Sequence, residues 1–150
     1  MAADPPPLQI IHRMIADVSK RPATEQIALT AERALFLKRR WRGAADDGVE
    51  FGFDLESRLK NGGVFWQTEA HDYVIHQKPE LVYQLPIPNV DFAALAGWKI
   101  GNLHFPVQIT EGFIRTLHDS AIKQLFEREA WTFEEVTVVF NPLRAVPHAS

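Results

Sequence analysis

Apolar and polar positions come in short bursts through the first half of the chain and settle into longer, regular patterns in the second. Leu35-Phe36-Leu37, Val49-Glu50-Phe51-Gly52-Phe53, Val64-Phe65-Trp66 and Tyr73-Val74-Ile75 are short apolar or alternating runs separated by turn residues. Asp46-Asp47-Gly48 lies between two of these runs. It predicts a hairpin turn, because glycine supplies the positive φ that such turns need. Asn61-Gly62-Gly63 is a second turn signal. Short strands at this spacing predict a small β-barrel or sandwich. Residues 22–33 fit either a short helix or a loop feeding the next strand.

Past Pro79 the pattern changes. Residues 80–85 read as a strand, which Pro86 and Pro88 then break. Asn89 or Asp91 can cap a helix with Phe92, Leu95, Ala96 and Ile100 along one stripe. Gly101 stands where a left-handed glycine would end that helix. Residues 105–109 form the next predicted strand, and Pro106 places it at an edge or places the proline at its start, since proline cannot donate to a ladder. Thr110-Glu111-Gly112 is a turn and residues 113–117 a short strand. Asp119 caps a second helix with Ile122, Leu125 and Phe126 on one face, and residues 135–140 alternate as a last strand. The order β-α-β-β-α-β is the ferredoxin-like pattern. The expected architecture is therefore α+β: an N-terminal small β-barrel or sandwich over residues 1–78, a ferredoxin-like domain over 79–142, and a loose tail over 143–150.

Composition narrows the function. With 150 residues, 46% hydrophobic and 23% charged, the usage is that of an ordinary globular protein. The net charge of -3 argues against nucleic acid as a partner. No apolar stretch is long enough to cross a bilayer, and the N-terminus lacks the basic start and apolar centre of an export signal, so a cytoplasmic protein is expected. There is no cysteine, which excludes disulfides, thiolate nucleophiles and thiolate metal sites. A metal would have to be held by histidine, carboxylate, backbone or water. No phosphate loop, dinucleotide fingerprint or Ser-His-Asp order is present, so an enzyme is not expected. The basic run Lys38-Arg39-Arg40-Trp41-Arg42 alternates as a strand would, with a solvated cationic face and Trp41 turned inward. An acidic partner or a phosphate backbone is the alternative use for that run.

The six histidines are His12, His71, His76, His104, His118 and His148, and none has the spacing of a self-contained metal motif. His104 and His118 stand apart. In the β-α-β-β-α-β pattern His104 opens the second strand and His118 ends the third, so the free end of one hairpin collects both. Two imidazoles suit nickel, copper or zinc but are too few for a tight site. A two-fold dimer would double the donor count by bringing the same patch from each subunit together.

The stretches from Asp46 to Gly52 and from Leu95 to Ile109, with Leu35 to Trp41 and Pro79 to Tyr83, resemble the UreE family of urease accessory proteins. Asp46-Asp47-Gly48-Val49-Glu50-Phe51-Gly52 is similar to the family's turn and strand, the segment from Leu35 to Trp41 to the strand before it, and Pro79-Glu80-Leu81-Val82-Tyr83 to its entry into the second domain. The longest likeness is Leu95-Ala96-Gly97-Trp98-Lys99-Ile100-Gly101-Asn102-Leu103-His104-Phe105-Pro106-Val107-Gln108-Ile109, which departs from the family at Gly97, Trp98 and Leu103. The resemblance implies a homodimeric nickel metallochaperone that is not an enzyme. It would have a peptide- or partner-binding first domain and a ferredoxin-like metal-binding second domain. It implies His104, from both subunits, as the shared nickel ligand, with zinc or copper as other occupants of the same site. His118 and the tail's His148 would be auxiliary donors. The implied partners are the urease accessory GTPase and the urease maturation complex. A metal-independent protein- or peptide-interaction module on the same scaffold is the alternative reading.

Overall fold

The computed structural model describes residues 8–143, in two units divided between Lys78 and Pro79. His148 lies outside the described residues.

The first unit is built from six strands. They are β1 (Gln9–Ile11), β2 (Gln26–Ala31), β3 (Arg40–Ala44), β4 (Glu50–Asp54), β5 (Val64–Gln67) and β6 (Asp72–Gln77). They form two three-stranded sheets, ordered β1-β4-β3 and β2-β6-β5. The two hairpins are the local, sequence-readable parts. β3 and β4 are antiparallel across the Asp46-Asp47-Gly48 turn, where Gly48 has φ 90°. β5 and β6 are antiparallel, with a register shift between Val64 and Trp66. Each hairpin then gains a parallel strand from upstream: β1 on β4, β2 on β6.

No barrel closes. The Asp46 N–H donates to the Ala28 carbonyl, a contact between the β3–β4 turn and β2, but among the described residues no ladder joins the sheets. Both sheets instead contribute to one core, in which Leu29, Phe51, Phe53, Phe65, Tyr73 and Ile75 are buried. Phe51 meets Phe65 edge-on, with ring centroids 5.0 Å apart.

Two sequence expectations shift here. The apolar run Leu35-Phe36-Leu37 does not begin a strand: α1 (Arg33–Phe36) is one helical turn, and the strand starts at Arg40. A three-residue apolar run carries no period, and here Phe36 reaches the core while Leu37 stays exposed. Residues 22–33 resolve into a 3₁₀ turn (Ala23–Glu25) followed by β2.

The second unit follows the β-α-β-β-α-β order. Its elements are β7 (Glu80–Pro86), α2 (Val90–Gly101), β8 (Val107–Thr110), β9 (Phe113–Leu117), α3 (Ser120–Arg128) and β10 (Glu134–Val138). The sheet order is β10-β7-β9-β8, and every neighbouring pair is antiparallel. Each β-α-β crossover therefore skips one strand, which is the ferredoxin-like topology. Asn89 Oδ1 accepts from the Phe92 N–H at 2.8 Å and Asp119 Oδ1 from the Ala121 N–H at 2.8 Å, so both helices start on side-chain caps. Ala96 and Ile100 of α2 pack with Ile122, Leu125 and Phe126 of α3 over Tyr83, Leu85 and Ile114 of the sheet. Leu95, expected on that stripe, is exposed instead.

Candidate metal centre

His104 is set by the way α2 ends. Gly101 is the last helical residue, not the left-handed residue beyond it, and the C-cap Asn102 has an ordinary helical φ of -66°. The helix then tightens: the Leu103 N–H donates to the Ile100 carbonyl and the His104 N–H to the Gly101 carbonyl. The chain reverses at His104 itself, which has φ 59°. Histidine is among the few side chains tolerated in this region, because a short polar group interacts locally. The corner leaves His104 exposed. Strand β8 begins only at Val107, so Pro106 precedes the ladder, and β8 is an edge strand.

The outward face of α2 leads to this corner. Val90, Ala94 and Trp98 recur every fourth residue and are exposed, with Val90 83% and Trp98 67% accessible. Gly97 and Gly101 lie beside them, and a Cβ on either would meet nothing within 4 Å. A bare apolar stripe therefore runs along the helix that ends at Gly101, three residues before the exposed His104. The i, i+4, i+8 spacing was readable in the sequence, where the buried stripe drew the assignment instead.

His118 follows β9 at the same open end of the β8–β9 hairpin. Its ring lies against Tyr83 of β7, centroids 4.6 Å apart, and its Nε2 is 3.2 Å from Glu135 Oε1 of β10. Both partners are on the opposite side of β9 from β8. Burial, with the Glu135 charge adding to it and Lys123 opposing, pushes the Tyr83 phenol above its ordinary range. No sequence signal named Tyr83 and Glu135 as neighbours of His118, because they meet only through the sheet order.

The chain returns to the hairpin after β10. Phe140 is fully buried, the Asn141 N–H donates to Gln108 Oε1, and the Leu143 N–H donates to the Val107 carbonyl at 2.7 Å. Among the described residues no group of three or more histidines and carboxylates could hold a metal ion.

Comparison with known proteins bears on this geometry directly. Residues 80–149, which span the β-α-β-β-α-β unit and most of the C-terminal tail, match the family model described as UreE urease accessory protein, C-terminal domain. The second unit is therefore similar to the C-terminal domain of UreE proteins. A Bacillus cereus protein named Urease accessory protein UreE is 27% identical over 127 residues, covering 83% of this chain and 83% of the relative. A Pseudomonas putida UreE is 26% identical over 146 residues, covering 93% of this chain and 86% of the relative. One from another strain of that species is 29% identical over 120 residues, covering 75% and 74%. The likeness to these UreE proteins thus extends into the first unit, beyond the region matched by the family model.

Proposed function

We propose that this protein is a urease accessory metallochaperone that carries nickel as cargo and catalyses no reaction itself. One nickel ion bridges two copies of the chain, held by the His104 imidazole of each. The observation that carries this reading is the pairing of an exposed His104 with the bare apolar stripe of α2. A second copy covering Val90, Ala94 and Trp98 buries that stripe and brings two His104 side chains together about the two-fold axis. Two imidazoles leave open coordination positions, which a carrier needs in order to release its metal to the next protein.

Auxiliary donors come from the tail and from His118. The Leu143–Val107 hydrogen bond supports His148, because it starts the tail beside the strand that follows His104. His118 joins the site only by releasing Glu135. Ligand imidazoles must be unprotonated, so nickel affinity falls as pH falls. Zinc or copper would compete for the same donors. In this reading the second unit binds metal, the first docks partners, and the receivers are the urease accessory GTPase and the maturation complex of the cytoplasm.

Nickel titration by calorimetry, with sedimentation of the same samples, tests the proposal. Wild type is expected to bind about one nickel per dimer. His104→Ala is expected to lose that site and keep its fold. Unchanged nickel affinity in His104→Ala would sink the assignment. A wild type that binds no nickel would leave the metal-independent interaction module.

A further inference from the structure

The basic run 38–42 is not used by the metal centre. Its strand alternates as a half-buried strand must. Trp41 stacks on Phe53 with centroids 4.1 Å apart, and a Cβ on Gly43 would meet Leu29 of the core, so these residues face inward. Arg40 and Arg42 therefore face outward, and both are exposed. Arg42 pairs across the sheet with Gly52, and Gly52 pairs with Ile10 of β1. A Cβ on Gly52 would come within 2.8 Å of Ile10 Cδ1 and 3.0 Å of Leu8 Cδ2. The glycine thus lets two aliphatic side chains lie flat on the outer face beside Arg42. Ile10 remains 48% exposed there.

Charge on this face is unbalanced at one end. Arg39 Nε and Arg40 Nε both approach the same Asp54 oxygen at 3.2 Å. The hydrogen bond from Arg40 holds the Asp54 carboxyl below its usual range, so it stays ionised. That single carboxylate stands against four cations, because among the described residues Lys38 and Arg42 have no ion-pair partner. Glu50 lies at the other end of the ladder, opposite Ala44.

We infer that the outer face of the β1-β4-β3 sheet docks an acidic, aliphatic-bearing segment of a protein partner. Such a segment places aliphatic side chains on Leu8 and Ile10 and carboxylates on Arg40, Arg42 and Lys38. Charge complementarity sets its sign and orientation. The aliphatic strip favours protein over nucleic acid, since among the described residues the face offers no outward aromatic for base stacking and the chain as a whole is acidic. The site rests on the reading of the first unit as the partner-docking unit, gives that docking a face and a chemistry, and does not need nickel.

The test is fluorescence anisotropy of a labelled synthetic peptide of alternating glutamate and leucine, titrated with the full metal-free chain. Wild type is expected to bind it, more weakly as salt rises. The double variant Lys38→Glu/Arg42→Glu is expected to lose roughly tenfold or more in affinity, and Ile10→Ser several-fold, with thermal melts showing each variant folded. Equal affinity in wild type and the charge-reversed variant overturns the proposal. So does an absence of binding at low salt, equal binding of a lysine–leucine peptide, or tighter binding of a single-stranded oligonucleotide. None of these outcomes bears on the nickel reading, which is measured separately.

Discussion

At His104 a backbone conformation and a proposed chemical role coincide. A side chain at φ 59° gives up roughly 1 kcal/mol relative to glycine, because Cβ crowds the following carbonyl. The neighbouring sequence offers glycine at 101 but uses histidine at the reversal. Replacing it separates conformation from chemistry. His104→Gly is expected to raise the melting temperature by roughly 2–4 °C and to abolish nickel binding in the same sample. A fall in melting temperature would show that the imidazole supports the fold, and would weaken its reading as an exposed ligand. The departure at Leu103 has a structural place: its side chain packs against the core of the second unit.

Among the elements, α2 and α3 end differently although both begin on a side-chain cap. α3 closes with paired end bonds: the Ala130 N–H donates to the Glu127 carbonyl and the Trp131 N–H to the Phe126 carbonyl. Trp131 also packs on Phe126, centroids 6.0 Å apart, which is the apolar contact that accompanies such an end. The left-handed residue is Ala130, at φ 55°. Ala130→Gly is therefore expected to stabilise the protein by about 1 kcal/mol in urea denaturation, with nickel binding unchanged. At the other helix, Asn89→Ala removes the acceptor for the Phe92 N–H and is expected to cost about 1 kcal/mol. Lys99 Nζ reaches Glu129 Oε1 at the end of α3, tying the two helix ends together.

At the scale of the whole molecule, polar groups buried in the first unit link segments far apart in the chain. Asp72 is 2% exposed and accepts from Ser19 Oγ at 2.7 Å and Gln67 Nε2 at 3.1 Å, with Arg21 Nε at 3.2 Å. Beside it, the Tyr73 hydroxyl donates to Asp47 Oδ2 at 2.6 Å, from β6 to the β3–β4 turn. Burial, and then the Asp47 hydrogen bond and charge, push the Tyr73 phenol from 10.0 up to about 12. A folded-state pKa above the unfolded one stabilises fully below the unfolded value and is lost as pH rises through the folded one. Wild-type melting temperature is accordingly expected to fall between about pH 10 and 12. Tyr73→Phe, which cannot ionise, is expected to start lower and to lose less over that window. Parallel pH profiles for the two proteins would refute the assignment.

Much of the second unit was legible from residues alone. The caps at Asn89 and Asp119, the stripe Ile122-Leu125-Phe126 and the positive-φ turn at Gly112 are set by neighbours within a few positions, so periodicity and turn chemistry report them. The hairpin turn at Gly48 is of the same kind. What the sequence could not decide were choices between distant partners. β1 and β2 add in parallel to hairpins formed later in the chain, and two sheets form where a barrel was an equal expectation. His118 turns toward Tyr83 and Glu135, and the segment after Phe140 returns to Val107. The φ of His104 belongs with these, because Gly101 was the better local candidate for a left-handed residue and the packing of Ile100 and Leu103 against the core carried the helix past it. Local sequence determines the conformation of a segment and which of its faces is apolar. Only the tertiary structure decides which other segment covers that face, because that choice depends on strand edges and side-chain volumes supplied from far along the chain.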